Sequence, residues 1–253
     1  MLRVANAIFT SNAVLASMPQ SEEALLRPHL SKVRLVGGQV LIEHGQASEH
    51  VYFIESGVAL LVAQSKESSV GVQVAMIGRE GLVGALALIE ADSPAFAKVV
   101  MQIPGTALRI PVAALNRCLE NMPGLKALCL NWVISLTRQI MMSAASNATD
   151  PLIARCANWL LMAHDRVEGN DLPVTHEALA GVLGVRRAGV TVAVMALQQA
   201  GFIHAARGRI RVTGRAGLER FARYGVLDGP PPLRSGLSPQ DLPATLPRLD
   251  RVG

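Results

Sequence analysis

Between residues 186 and 223 the chain carries eight arginines, no lysine and a single acid, Glu219. The planar arginine fork donates two parallel hydrogen bonds to a phosphate or to the O6 and N7 edge of guanine, so this segment has the chemistry of a nucleic-acid binder. Arg186 and Arg187 sit in "VLGVRRAGVTVAVMALQQAGFI", residues 182 to 203. Val190, Val194 and Leu197 form a core stripe there, and Arg187, Thr191 and Val192 fall off it near the N-terminal end, with Arg186 just before. Those positions are the ones a recognition helix turns toward base edges, with Arg187 suited to guanine and Arg186 to a base or a phosphate. Thr175 and His176 open the helix before it and join the candidate contact set. Arg207, Arg209 and Arg211 surround a tight Arg207-Gly208 turn in "FIHAARGRIRVT", where phosphate or minor-groove contact explains them.

Other chemistries find little support. Neither G-x-S-x-G nor H-E-x-x-H occurs, and His176-Glu177 is only half of the latter, so no enzyme is expected. Cys118, Cys129 and Cys156 lie far apart without metal-ligand spacing. They read as small core hydrophobes in a reducing cytoplasm, with no metal site.

The elements that must position the arginines follow from pattern. Thr175 is placed to cap a short helix whose stripe Ala178, Leu179, Val182 and Leu183 ends at Gly184, a turn glycine; a second helix then runs to Gly201. This is a helix-turn-helix, and the alternating strands around Arg207-Gly208 make a basic hairpin, the wing of a winged helix. Upstream, Leu125, Cys129, Trp132, Leu136 and Ile140 step by 4, 3, 4 and 4 along a helix from about 124 to 147. That spacing predicts a coiled-coil-like dimer seam, packing against the chain's own sheet being the competing reading. From about 30 to 110, short Val-, Ile- and Leu-rich runs bounded by turn residues, among them "HVYFIESG" and "VALLVAQS", predict an antiparallel roll.

The expected fold is therefore α+β: an N-terminal jelly-roll-like antiparallel β-roll, a long dimerisation helix and a C-terminal winged helix-turn-helix. The expected divisions are an extension at 1–20, the roll at 21–121, the long helix at 122–148, the winged helix at 149–225 and a flexible tail at 226–253, whose last 24 residues hold six of the 14 prolines. Half the residues are hydrophobic and 17% are charged, which predicts a compact fold. Apolar runs such as "GLVGALALI" fall well short of the roughly 20 residues of a membrane span, and Asn6, Ser11 and Asn12 interrupt any leader, so a cytoplasmic protein with no membrane partner is expected. The net charge of +5 is uneven: residues 1–149 carry 11 basic and 10 acidic residues, whereas 150–225 carry 10 and 6. A phosphate-seeking field thus belongs to the C-terminal part.

The order of elements resembles the catabolite activator and fumarate-nitrate regulator (CRP/FNR) family of bacterial transcription factors. The resemblance covers roughly residues 15 to 225 and rests on "GGQVLIEHGQASEHVYFIESGVALLV" and "LPVTHEALAGVLGVRRAGVTVAVMALQQAGFI". It implies a homodimeric, sequence-specific regulator that binds double-stranded DNA and RNA polymerase. The alternative is a ligand sensor whose winged helix mediates protein contacts. In cyclic-nucleotide-binding members a Glu holds the ribose and an Arg-Ser or Arg-Thr pair holds the phosphate. In "GLVGALALIEADSPAFAKVV" Ala85, after Gly84, stands at the Glu position, and Ala95 and Phe96 at the pair. Cyclic AMP is accordingly not expected as effector, and the cofactor-binding residues stay unassigned. No cysteine precedes Cys118, which weighs against an iron-sulfur sensor; His29, His44 and His50 are the weak candidates for haem. Val192 also stands where the family often has a second arginine, so the half-site is expected to differ from that of the best-known members.

Overall fold

A computed structural model describes residues 9–64, 71–90 and 92–222. The expected proline-rich tail, and Arg223, lie outside the described residues. The chain begins with α1 (Ala13–Ala16) and α2 (Gln20–Leu26), then β1 (Ser31–Leu35), β2 (Val40–Ile42), β3 (His50–Gln64), β4 (Gly71–Ile77) and β5 (Leu82–Val83). A 3-10 turn at Ala85–Leu88 leads to β6 (Lys98–Pro111), α3 (Val112–Glu120) and α4 (Pro123–Thr149). The last part holds α5 (Leu152–His164), β7 (Asp171–Leu172), α6 (His176–Leu183), α7 (Arg187–Gln199), β8 (Ile203–Ala206), β9 (Arg209–Val212) and α8 (Arg215–Phe221).

The long strands β3 and β6 pair antiparallel and form the spine of the roll. One half of this ribbon is flanked by β1 and β5, the other by β2 and β4. Gly57 does not end a strand, as the expected break between "HVYFIESG" and "VALLVAQS" required. It lies inside β3 at φ +84°, where the β3–β6 register slips. A side chain there would collide with the carbonyls of Ile103 and Pro104, and one on Gly105 with the carbonyl of Ser56. The bulge bends both strands at once, so the sheet curls and its two halves take different neighbours.

Helix α4 closes the roll. Leu125, Cys129 and Trp132 join the roll's core with Phe53, Leu82 and Met101. The Trp132 ring lies against Gly81, and its indole nitrogen donates to the Leu82 carbonyl at 2.9 Å. Leu136 packs against the same cluster. The stripe expected as a dimer seam (Leu125, Cys129, Trp132, Leu136 and Ile140) therefore faces the chain's own roll. The 3-4 spacing was legible, but α4 is apolar on two opposite faces and periodicity cannot say which face meets which partner. On the other face Leu130, Ile134 and Met141 point outward, Ile134 at 60% and Met141 at 67% exposure.

The N-terminal residues are also more than an extension. Val14, Leu15 and Met18 enter the roll's core. Asn12 is fully buried: its amide donates to the carbonyls of Ile54 (2.8 Å) and Gly81 (2.7 Å), and its oxygen caps α1 through the Leu15 N–H. The buried carboxylate of Glu22 accepts from the N–H groups of Gly124 (2.9 Å) and Leu125 (2.7 Å), filling two orphan donors at the start of α4. Among the described residues no single helix is long and apolar enough to cross a membrane.

Asn12→Ala leaves two buried carbonyls without a donor. It is expected to lower the unfolding free energy by about 1–3 kcal/mol, read from urea denaturation of the two proteins.

Candidate nucleic-acid interface

In the winged helix Val190, Val194 and Leu197 of α7 share a core with Leu179 and Leu183 of α6, Leu160 and Leu161 of α5, and Ile203 and Ile210 of the hairpin. Thr175 caps α6, its hydroxyl oxygen accepting from the Ala178 N–H at 3.0 Å. Gly184 takes φ +64°, and α6 and α7 cross with a bend of 112°, the geometry of a helix-turn-helix. Arg186 is the N-cap residue of α7 and is exposed; Arg187 is the first residue of the helix. The end of α7 that faces outward thus adds the partial positive charge of its free N–H groups to two guanidinium groups.

The other α7 positions divide. Val192 is 69% exposed. Thr191 is half-buried, and its hydroxyl donates to the Arg187 carbonyl at 3.1 Å. With that proton spent, its oxygen accepts from His176 Nδ1–H, 3.1 Å away. His176 and Thr191 are brought together as a brace between α6 and α7. Arg187 Nε lies 3.8 Å from Glu177 Oε2, with both side chains largely exposed, a contact that water screens and a stronger anion can displace. Met195, exposed on the same outward face as Val192, was not anticipated. Its position one turn beyond Thr191 was the available signal.

Strands β8 and β9 form the expected hairpin, with Gly208 at φ +74° in its two-residue turn and β7 added on the far edge of β9. Arg207 and Arg209 are exposed and have no ion-pair partner among the described residues. Arg211 differs: its Nε and a terminal nitrogen donate to the two carboxylate oxygens of Asp171 on β7, at 3.0 and 2.6 Å. The Arg211 hydrogen bonds hold the Asp171 carboxyl below its ordinary range, with lesser help from the charges of Arg211 and Arg209. Arg211 is therefore a strand-to-strand tie and not a free phosphate ligand, which corrects its inclusion in the contact set. The signal missed was Asp171 forty residues earlier, a partner that only the sheet register reveals. Because folding depresses this carboxyl, the tie contributes at neutral pH and is lost as pH falls through the lowered value.

Gly84, Ala85, Leu86 and Ala87, with Ser93, Ala95 and Phe96, line a chamber of about 330 Å³ between the roll and α4. Ala85 is buried in its wall and Phe96, at its rim, is 71% exposed. No lining residue among those described is charged, and Lys98 is turned to Glu43 at 3.3 Å. His29 and His44 are exposed and His50 is half-buried; none of the three lines the chamber. Among the described residues no three His, Cys, Asp or Glu side chains gather as metal ligands. Burial pushes the thiols of Cys129 and Cys156 up to about 12, which keeps both protonated and unreactive; the Cys118 thiol is raised by burial against a weaker opposing pull from Arg117.

Two family models match the chain, a cyclic nucleotide-binding domain over residues 32–122 and a Crp-like helix-turn-helix domain over residues 154–221. The chain belongs to the CRP/FNR family of DNA-binding transcription regulators. It is 26% identical over 177 residues to the global nitrogen regulator of a Synechocystis strain, covering 66% of this chain and 78% of that one. Among solved structures, FixK2 of Bradyrhizobium japonicum superposes with a TM-score of 0.64 at 12% identity, covering 76% of this chain and 96% of the other. The c-di-GMP-responsive global regulator CLP of Xanthomonas campestris gives 0.62 at 14% identity, with 78% and 100% covered.

If Arg211 serves the wing and Arg209 faces phosphate, the two alanine substitutions separate. Arg209→Ala is expected to reduce the slope of log affinity against log salt by about one for each protomer that contacts DNA. Arg211→Ala leaves that slope unchanged and loosens the hairpin, visible as faster amide exchange in β7 and β9.

Proposed function

We propose that the protein is a homodimeric regulator that seats the N-terminal ends of two α7 helices in successive major grooves of a pseudo-palindromic site. The observation that carries this reading is the pair of exposed arginines at the outward-facing start of α7, the second helix of a helix-turn-helix. Arg187 reads guanine, exchanging Glu177 for a bidentate base contact, and Arg186 holds phosphate or base. Val192 meets a thymine methyl. Thr175 keeps its hydroxyl proton for a phosphate, and Arg207 and Arg209 hold the backbone beside the wing. His176 and Thr191 set the angle at which these groups are offered.

Dimerisation uses the outward face of α4. Ala127, Leu130, Ile134, Thr137 and Met141 repeat at spacings of 3 and 4, the exposed stripe that a second copy of the helix covers in a two-fold pair. The roll works without a cyclic nucleotide, since an anionic phosphate in a chamber without a cation carries a desolvation cost of several kcal/mol. It supports the dimer and offers a surface to RNA polymerase in the cytoplasm.

Selection from a pool of random duplexes tests the reading directly. A two-fold symmetric site is expected to emerge, and Arg187→Ala to weaken binding to it by about 1–3 kcal/mol while relaxing the preference at one position of each half-site. Failure to enrich any sequence, with no salt dependence of retention, sinks it in favour of a protein partner for the winged helix. Ile134→Glu is expected to convert a dimer to a monomer in sedimentation equilibrium without unfolding the chain, whereas Arg187→Ala leaves the dimer intact.

A further inference from the structure

We infer that the chamber between the roll and α4 is a binding site for an uncharged, predominantly apolar small molecule about the size of a two-ring aromatic. The inference rests on the reading above that the roll works without a cyclic nucleotide, and it names the class of ligand that fits instead. The space arises because five of the twenty described lining residues are alanines: Ala63, Ala85, Ala87, Ala95 and Ala97. Leucine or isoleucine at any of them would fill part of it. At about 330 Å³ the chamber falls at the small end of ligand sites, too narrow for a helix and ample for ten to sixteen carbon atoms.

The lining chemistry fixes the class of occupant. Seventeen of the twenty residues have no polar side-chain atom, and the three hydroxyls are not equally free. Ser48 donates to the His50 carbonyl at 2.7 Å, and Thr137 to the Val133 carbonyl at 2.9 Å. Among the described lining residues Ser93 is left as the one hydroxyl with its proton free to orient a ligand, while the Ser48 and Thr137 oxygens can still accept. Lys98, between the lining residues Ala97 and Val99, is held by Glu43. A carboxylate or phosphate entering here would lose its water without gaining a counter-charge, whereas an apolar molecule gains by leaving water. A pocket lined by aliphatic side chains favours apolar guests, which leave water on entering it. Leu136 and Ile140 supply one wall, so an occupant is held directly against α4.

The test titrates the full-length protein with N-phenyl-1-naphthylamine, a neutral two-ring fluorophore that brightens in apolar surroundings. The expected result is saturable binding of one probe per chain. Ala97→Leu and Ala63→Leu, each verified as folded by its thermal transition, weaken it at least tenfold, and cyclic AMP in large excess does not displace the probe. Absence of saturable binding, equal binding by both variants, or displacement by cyclic AMP overturns the inference. DNA retention measured on the same preparations separates the two readings. Protein that binds duplex but not probe refutes only the chamber ligand; protein that binds probe but no duplex leaves the chamber standing and refutes the regulator's mode of action.

Discussion

Helix α4 is apolar on two opposite faces, and the rest of the molecule is arranged around that fact. The face of Leu125, Cys129 and Trp132 is buried on the roll, where each large side chain removed from water contributes about 1.5–3 kcal/mol. The face of Leu130, Ile134 and Met141 is left in water by a single chain. It is this face that the proposed dimer would cover. The helix start is fixed by Glu22, which reaches 102 residues along the chain to accept from Gly124. The N-terminal segment therefore sets the position of α4 as firmly as the sheet does.

The second constraint is the junction between the roll and the winged helix. Val58, Leu60, Met76 and Ile103, on the roll's outer face, share one core with Leu160, Leu179 and Val190 of the DNA-binding part. Polar ties cross the same junction: the Trp159 indole donates to Gln73 at 2.6 Å, and the guanidinium of Arg166 donates to Glu80 at 2.7 Å. Arg166 and Glu80 are only 11% and 12% exposed, so their attraction is largely offset by the water both gave up. Such a pair adds little net stability but penalises any docking that separates its members, and here it specifies how the winged helix sits. Gln139 of α4 accepts from the Met76 N–H on the same strand, so β4 is tied both to α4 and to α5.

The fold was legible in the sequence wherever the signal is local. Thr175, Gly184, Gly201 and Gly208 each satisfy a backbone requirement set within a few residues, and they delimit the helix-turn-helix and its wing without reference to the rest of the chain. What escaped depended on distant partners. Gly57 looks like a turn until Gly105 is placed opposite it, and Arg211 looks like a phosphate ligand until β7 brings Asp171 alongside. Asn12 looks like the polar interruption of an apolar leader, yet its three hydrogen bonds span 69 residues of sequence. In the same way the 3-4 spacing along α4 was correctly a sign of packing, while its orientation depended on which face the roll already occupied.

The two apolar faces of α4 are also the route by which the roll can speak to the DNA-binding part. Leu136 and Ile140 line the chamber, and Ile134 and Met141 stand about half a turn around the helix from them. A helix is stiff over this distance, so material packed beneath Leu136 cannot shift it without tilting the exposed stripe as well. In the proposed dimer, a tilt of that stripe changes how two copies of α4 meet and hence the separation of the two recognition helices, which the pitch of DNA would set at about 34 Å or a multiple of it. Few positions of α4 satisfy both the roll and the DNA spacing. In that reading the energetics of DNA binding depend on how tightly the chamber side of the helix is packed.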